Sequence, residues 1–376
     1  MLLVGAMSFF ADFVYEGARG IAGPFLALLG ASGLAVGLAG GVGELFNYGL
    51  RVVSGRVADR TRRFWPIAIA GYVVQMAAVP LLALARTWPA AAALLILERT
   101  GKAIRNPPKD VMLAAAGRQM GGYGHAFGLH EALDQGGALL GPLAMAAILA
   151  ARRDYRLAFA ALAIPAAVTL LLLGVVRILY PHPEDLEPPK ELAADTRFPR
   201  AFWVYLGATA LVAAGFADFT LIAYHFQRAS VLSTSMIPVF YAIAMGVSGA
   251  GSYWAGRAFD RRGLYVLVPL TAVTAVYAPL AFLGRGGWSL AGVVLWGVGM
   301  GVHESTLAAA VATMVGPERR ASAYGVFTAG FGVAWFLGSA LLGWLYDHSL
   351  PAMIAAAIVL ELAAIPLLLA VARRRG

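Results

Sequence analysis

The tetrapeptide Phe10-Ala11-Asp12-Phe13 recurs in this chain as Phe216-Ala217-Asp218-Phe219, and the repeat decides the fold. A second pair, Gly55–Arg60 (GRVADR) and Gly256–Arg261 (GRAFDR), follows in the same order. The separation falls from 206 positions in the first pair to 201 in the second, as shorter loops in the second copy would produce. We therefore predict two related halves, an arrangement typical of membrane transporters that bind their substrate between repeats near the bilayer midplane.

The composition predicts an integral membrane protein. The chain has 376 residues, of which 60% are hydrophobic and 13% are charged, and its mean hydropathy is +0.74. Soluble domains carry about 25% charged residues, and a membrane-spanning helix needs about 20 apolar residues. We expect an all-α fold of twelve transmembrane helices arranged as two pseudo-symmetric six-helix bundles.

The hydrophobic runs divide the chain into two sets of six predicted spans. The first bundle is expected over residues 1–180 and the second over 201–376. Residues 181–200 begin with a stretch rich in proline and acidic residues, which is typical of a linker between domains. The expected spans are 2–29, 33–57, 65–85, 88–115, 123–150, 156–180, 201–228, 232–257, 264–284, 287–315, 322–345 and 351–372.

The net charge of +9 is concentrated in alternate loops and in the C-terminal tail. This asymmetry follows the positive-inside rule, so it places both termini and the central linker in the cytoplasm. It also argues against a nucleic-acid partner. Arginine far outnumbers lysine, which is typical of a GC-rich bacterial genome. We expect a multi-pass monomer in the bacterial cytoplasmic (inner) membrane, with the lipid bilayer, protons and a small molecule as its partners.

The chain contains no cysteine. Disulfides, thiolate metal sites and thiol catalysis are therefore excluded. The fifth span contains His130-Glu131-Ala132-Leu133-Asp134, which resembles a zinc-protease helix without its second histidine. A proton relay suits these side chains better than metal hydrolysis. We expect no metal and no cofactor.

The first span carries a polar stripe at the spacing of one helix face: Asp12, Tyr15, Glu16 and Arg19. Ionisable groups inside a membrane are costly and are functional candidates by default. Two carboxylates one turn apart repel each other, so one of them is expected to hold a proton near neutral pH. We predict proton coupling at Asp12 and Glu16, and substrate contact at Tyr15 and Arg19. The alternative is an internal network that only neutralises Arg19.

Two further spans carry charge at helical spacing. Glu44, Tyr48 and Arg51 occupy one face of the second span, and Lys102 and Arg105 share a face of the fourth. In one interpretation, these residues line a cavity and bind the substrate, including its anionic part. In the other interpretation, they form contacts between helices that neutralise the carboxylates of the first two spans.

Histidines and carboxylates mark the remaining candidate sites. In the fifth span, His130, Glu131 and Asp134 are predicted to take part in proton coupling. The second half has weaker versions of this signal, which we assign to substrate binding. Those residues are Asp218, His225, His303 and Glu304.

The loop after the second span resembles the signature of the major facilitator superfamily, Gly-x-Leu-Ala-Asp-Arg-x-Gly-Arg-Lys. Here it reads Gly55-Arg56-Val57-Ala58-Asp59-Arg60-Thr61-Arg62-Arg63, with Arg62 in place of the late glycine. The resemblance implies that the aspartate docks at the N-terminus of the eleventh helix and locks the two domains. The gating residues carried over from it are Gly55, Asp59, Arg60, Arg63 and, in the second copy, Asp260.

The fifth span also resembles the glycine motif of proton-coupled exporters in this superfamily. Gly128, Gly137, Gly141 and Pro142 have the expected spacing, whereas the closing glycine pair is absent. The resemblance implies proton-driven antiport and a tightly packed, kinked helix. It also suggests that Arg99 corresponds to the fourth-span arginine that the family associates with proton transfer.

The sequence thus predicts a secondary active transporter that exports a small polar or amphiphilic molecule by alternating access and proton antiport. Uptake by proton symport is the alternative, because the same carboxylates would serve it. An intramembrane enzyme or a lipid scramblase is the alternative from another class. No compact catalytic group supports an enzyme, and a scramblase would not need Asp12 or Glu16.

Overall fold

The computed structural model describes residues 2–119, 123–181, 198–316 and 319–373. Within these ranges the side chains at 2, 59, 111–129, 304–305, 308 and 321 are outside the description. The regular secondary structure of the described residues is helical, with no β-strand among them. The described ranges contain fifteen α-helices: α1 Leu2–Leu28, α2 Gly33–Thr61, α3 Phe64–Leu81, α4 Trp88–Gln119, α5 Tyr123–Arg152, α6 Tyr155–Ala161, α7 Ala163–Leu179, α8 Arg200–Gly215, α9 Phe219–Arg228, α10 Met236–Arg262, α11 Leu267–Thr274, α12 Tyr277–Leu283, α13 Gly287–Met314, α14 Arg320–His348 and α15 Leu350–Ala372.

Each of the twelve predicted spans coincides with one helix or with a consecutive pair. The pairs are α6–α7, α8–α9 and α11–α12. Seven stretches of the described helices are long enough and apolar enough to cross a membrane. Helices α1 and α4, which carry charged stripes, are not among these seven. The chain is therefore an all-helical multi-pass membrane protein, and the number twelve stays a prediction.

The helices group into two compact units. One unit contains Met1–Ala31, Val42–Lys190 and Ser233–Ala242, and the other contains Ser32–Gly41, Glu191–Leu232 and Ile243–Gly376. The first turns of α2 therefore belong to the second unit, and the first turns of α10 belong to the first. The predicted bundle boundaries at residues 180 and 201 stay a prediction.

Glycines set the helix packing of the first unit. A Cβ atom at Gly137 would collide with the carbonyl oxygen of Phe9, and one at Gly141 would collide with that of Phe13. Helix α5 therefore lies directly against the backbone of α1, as small residues allow in membrane helices. Helices α3 and α4 meet in the same way, because a Cβ at Gly71 would lie 2.6 Å from the backbone nitrogen of Arg105.

In the second unit, the start of α2 packs against the end of α14. The carboxylate of Asp347 accepts hydrogen bonds from the backbone N–H groups of Gly33 and Leu34, at 2.7 and 2.8 Å. An anion at a helix N-terminus satisfies N–H groups that lack an intrahelical partner and interacts favourably with the helix dipole. Gly37 keeps the helices close, since a Cβ there would collide with the carbonyl of Ser339.

The seventh predicted span is broken between α8 and α9. Asp218 caps α9 by accepting the N–H of Thr220 at 2.8 Å. The backbone groups freed at the break find side-chain partners inside the unit. Ala217 N–H donates to the Tyr277 hydroxyl, Tyr277 donates to the Gly215 carbonyl, and Trp296 donates to the Ala217 carbonyl. An irregular backbone at membrane depth needs such partners.

The turns after α2 and after α10 share one unusual backbone conformation. Arg62 has a φ of 55° and Gly263 has a φ of 59°, and the two positions correspond in the repeat. Glycine adopts this left-handed conformation at no steric cost, whereas an arginine has a Cβ that strains it. The family signature has glycine where this chain has Arg62, so the turn keeps its geometry despite the substitution.

We therefore expect Gly263→Ala to destabilise the protein by about 1 kcal/mol, and Arg62→Gly to leave its stability unchanged or raise it. Thermal unfolding of the purified protein in detergent would measure both effects. Gly256→Ala is the matched control, because Gly256 lies inside α10 with open space around its Cβ position. Equal melting temperatures for Gly263→Ala and Gly256→Ala would contradict the explanation.

Candidate functional site

The charged stripes of α1, α2 and α4 converge in the first unit around Glu44. Its Oε1 lies 3.1 Å from Nη2 of Arg99 and 3.8 Å from Nη2 of Arg19, and its Oε2 accepts a hydrogen bond from Asn47 at 3.0 Å. Glu44 is 4% exposed. A buried carboxylate shared by two guanidinium groups is stabilised only while those partners stay in place.

A second part of the network centres on Arg105, which is 1% exposed. Its Nη2 lies 3.7 Å from Oδ1 of Asp12, and its Nη1 donates to the Tyr72 hydroxyl at 3.1 Å. Its Nε donates to Gln75, whose amide in turn donates to Glu98 at 2.7 Å. These groups, from α1, α3 and α4, form one connected set of buried polar side chains.

Tyr15 lies between the cations of the network. The Nζ atom of Lys102 is 3.6 Å from the centre of its ring, and the guanidinium carbon of Arg99 is 4.6 Å away. Nη1 of Arg19 donates to its hydroxyl at 3.3 Å. An aromatic face attracts cations when water is excluded, so Tyr15 holds the positive groups of α1 and α4 together.

Glu16 has a different environment from Glu44. Its Oε2 accepts a short hydrogen bond from the hydroxyl of Tyr241, near the start of α10. Arg19, Lys102 and Asp12 are its charged neighbours. Among the described residues, however, no cationic nitrogen lies within 4 Å of it. Glu16 is only partly buried. Its hydrogen-bond partner, Tyr241, is neutral and comes from the second half of the sequence.

Helices α4 and α5 form a smaller cluster. Nζ of Lys109 lies 3.1 Å from Nε2 of His130 and 3.9 Å from Oδ2 of Asp134, and His130 lies 3.3 Å from the same carboxylate oxygen. Glu131 is outside this cluster, because its side chain is exposed and accepts a hydrogen bond from Gln135 on its own helix. His130 and Asp134 are thus brought together, whereas Glu131 is not.

The candidates of the second half are scattered. Asp218 is the cap of α9 described above. The Nδ1 atom of His225 lies 3.0 Å from the Tyr346 hydroxyl. His303 packs edge-on against Phe216 at a ring distance of 4.5 Å. The side chain of Glu304 falls outside the described residues. The three described side chains do not form one cluster, and the predicted roles of all four residues in substrate binding stay predictions.

The gating candidates have mixed environments. Arg60, Arg63 and Asp260 are exposed at helix ends, while Arg99 belongs to the buried network. The surroundings of Asp59 and Gly128 lie outside the description. Of the remaining candidates, Gly137, Gly141 and Pro142 lie where α5 meets α1, a Cβ at Gly55 would approach Pro107, and Tyr48 and Arg51 are half-buried on α2.

Sequence reasoning missed several residues of the network. Gln75 and Tyr72 on α3 are 0% and 1% exposed, and Tyr241 is fully buried. They are neutral, so no charge pattern marked them. A glutamine inside an apolar span is still a usable signal, because a buried amide needs hydrogen-bond partners.

Glu361 was also missed, although it is the only charged residue of α15. It is 0% exposed, and Thr274 donates to its Oε2 at 3.3 Å. Its Oε1 has no hydrogen-bond partner among the described residues. A lone carboxyl group in such an apolar helix is a signal that sequence reading could have used.

The arrangement can bind charge and exchange it. The buried cations can bind an anionic group of a ligand when their carboxylate partner moves away. Asp12 and Glu16 can bind an amine of a ligand. No group of three or more histidine, cysteine, aspartate or glutamate side chains in the described part of the chain has metal-binding geometry.

Solved structures with the same fold are membrane transporters. A peptide transporter POT in complex with sulfate superposes with a TM-score of 0.78, at 14% identity, over 99% of this chain and 94% of that one. The nucleoside transporter NupG superposes with a TM-score of 0.71, at 13% identity, over 99% and 97%. At these identities the likeness concerns the fold. This chain has the fold of those two structures.

The Major Facilitator Superfamily model matches residues 5–339, and the chain belongs to that family. Rv2265 of Mycobacterium tuberculosis, described as an uncharacterized protein, is 42% identical over 374 residues, which cover 98% of this chain and 91% of the relative. An uncharacterized MFS-type transporter of Methanocaldococcus jannaschii, MJ1317, is 32% identical over 139 residues, or 37% of this chain and 34% of its own. The resemblance to the superfamily is thereby confirmed.

We expect Gln75→Leu to destabilise the protein by about 2 kcal/mol or more, because Glu98 and Arg105 would each lose a buried hydrogen-bond partner. Thermal unfolding in detergent would measure this. Gln135→Leu is the control, since Gln135 bonds to the exposed Glu131. If both variants unfold at the same temperature, Gln75 does not hold the network together.

Proposed function

We propose that this protein is a proton-driven exporter in which Glu16 carries the coupling proton. The observation that supports this best is the contrast between Glu16 and Glu44. Glu44 is held by two arginines, whereas Glu16 is bonded to the hydroxyl of Tyr241 and is partly accessible. A carboxylate must be able to gain and lose its proton without dismantling its surroundings, and Glu16 meets that requirement better than Glu44 does.

The partner of Glu16 suggests how a proton could move the protein. Tyr241 lies on α10, in the short segment Ser233–Ala242 that the second half of the sequence contributes to the first unit. Its hydroxyl donates to the carboxylate, and this bond is stronger when the carboxylate is charged. Protonation would weaken it and free the start of α10. A ligand can shift a conformational equilibrium only through such a difference in affinity between states.

The substrate class follows from the charges around Tyr15. Arg19 and Lys102 stand beside Asp12 and Glu16, so both signs of charge are available within one site. The ring of Tyr15 adds an apolar face. This combination favours a small zwitterionic or polar molecule with an apolar part over a purely lipophilic cation.

Export is favoured by the packing of α5. Gly137 and Gly141, from the glycine motif shared with proton-coupled exporters, make direct backbone contact with α1. Because α1 carries Asp12 and Glu16, this contact ties the motif to the proposed proton site. Proton-coupled uptake would use the same carboxylates and is the second candidate for the direction of transport.

Direction can be measured in proteoliposomes with an imposed pH gradient. The compound to follow is chosen by a thermal-shift screen of zwitterionic and amphiphilic metabolites at two pH values. We expect protons entering the vesicles to drive the compound out, because each unit of pH difference contributes about 1.4 kcal/mol per proton. If the compound instead enters with the protons, uptake is the function and antiport is wrong.

Replacing the proposed proton carrier separates coupling from transport. We expect Glu16→Gln to retain exchange of the compound down its gradient and to lose accumulation driven by pH, because glutamine keeps a hydrogen-bond acceptor for Tyr241 but binds no proton. Proton movement is read with a pH-sensitive dye inside the vesicles.

Asp110→Asn is the matched control. It removes one exposed carboxylate from α4, and we expect it to keep full coupling. Coupling that survives in Glu16→Gln would exclude Glu16 as the carrier, and Asp12→Asn would then be tested in the same assay.

A further inference from the structure

A cavity of about 430 Å³ lies in the second unit, where α10 ends and α11 begins. It is separate from the charged network and plays no part in the proposed transport cycle. Its wall combines three arginines with two aromatic rings and a few apolar side chains. The lining residues that matter here are Trp254, Arg257, Arg261, Arg262, Tyr265 and Leu270.

The cavity wall is basic. Arg257, Arg261 and Arg262 contribute three guanidinium groups, and no acidic residue lines the cavity. In the ranges that the structure describes, none of the three lies within 4 Å of a carboxylate oxygen. Guanidinium groups have planar sets of N–H donors that match phosphate oxygens. The cavity is therefore built to receive an anion of that shape.

The rest of the wall is amphipathic. The side chain of Trp254 is 67% exposed and that of Tyr265 is 45% exposed. Tryptophan and tyrosine with such exposure are typical of the boundary between membrane and water. Val266, Pro269 and Leu270 continue the wall as an apolar surface. An occupant must therefore combine an anionic head with an apolar body.

The position in the chain agrees with this. The cavity lies at the turn inside a 48-residue stretch, Met236–Leu283, that is apolar enough to cross a membrane and that contains two of the predicted spans. Charge asymmetry of the loops places this turn at the cytoplasmic surface. The cytoplasmic leaflet supplies anionic lipids to basic pockets between transmembrane helices.

The internal repeat supplies a natural comparison. Arg257 and Arg261 correspond to Arg56 and Arg60 in the first half, which are also exposed at the end of a helix. The aromatic wall is not repeated, because Val53 occupies the position of Trp254. The two arginines occur in both halves, as the positive-inside rule for cytoplasmic loops would require. The aromatic wall is present in the second half and absent from the first.

We propose that this cavity binds the phosphate headgroup of an anionic phospholipid, with the three arginines on the phosphate and Trp254 and Tyr265 at the level of the glycerol and upper acyl chains. A soluble phosphate compound without an apolar part would bury no apolar surface against this wall. The inference is independent of the transported substrate and of its direction of transport.

Binding is tested on the purified full-length protein in detergent. Phosphatidylglycerol is titrated against phosphatidylcholine with the same acyl chains, and the bound lipid is counted by native mass spectrometry alongside the melting temperature. We expect phosphatidylglycerol to bind at least about tenfold more tightly. The triple variant R257Q/R261Q/R262Q should lose that preference, and Trp254→Leu should weaken the binding of phosphatidylglycerol.

The variant R56Q/R60Q is the matched control and should bind phosphatidylglycerol within about twofold of the natural chain. Equal loss in this control would mean that any basic loop suffices, and the proposal would be wrong. It would also be wrong if phosphatidylcholine bound equally well, or if inorganic phosphate at millimolar concentration displaced phosphatidylglycerol. Should the triple variant fail to fold, Arg257→Gln and Arg262→Gln are measured singly, and unchanged lipid preference in both would refute the proposal.

Discussion

Charge neutralisation inside an apolar bundle is the constraint on which the rest of the first unit depends. A single ionised group taken out of water costs several kcal/mol, and this unit holds ten ionisable side chains close together. Five of them are basic and five are acidic, so the two kinds are equal in number. These ten are Arg19, Arg99, Lys102, Arg105, Lys109, Asp12, Glu16, Glu44, Glu98 and Asp134. Balance of this kind stabilises the packed helices, and moving one partner or adding one proton would leave another group unpaired.

Close helix packing is what makes the balance possible. Ion pairs across helices need side chains that reach each other, and glycine at the contact brings two backbones together. Gly71 lets α3 touch the backbone of α4 at Arg105, and Gly101 does the same at Gln75. The hydrogen bond between Gln75 and Arg105 follows from these two contacts. The glycines and the charged groups are thus parts of one arrangement.

The sequence predicted what is periodic and local. The stripe of Asp12, Glu16 and Arg19 could be read from helical spacing, and the spans could be read from hydropathy. The sequence could not predict the exchange of the first turns of α2 and α10, because it depends on contacts between residues more than two hundred positions apart. It missed Tyr241 for the same reason, since a tyrosine in an apolar helix reveals its partner only when the helices are packed.

The repeated tetrapeptide has a different structural role in each half. In α1, Asp12 lies within a continuous helix and faces Arg105. In the second copy, Asp218 caps a new helix, and the backbone around it is held by Tyr277 and Trp296. The same residue thus serves electrostatics in one half and backbone geometry in the other. The second copy therefore needs side-chain partners for a broken backbone, whereas α1 runs unbroken from Leu2 to Leu28 and leaves Asp12 free to pair with a cation.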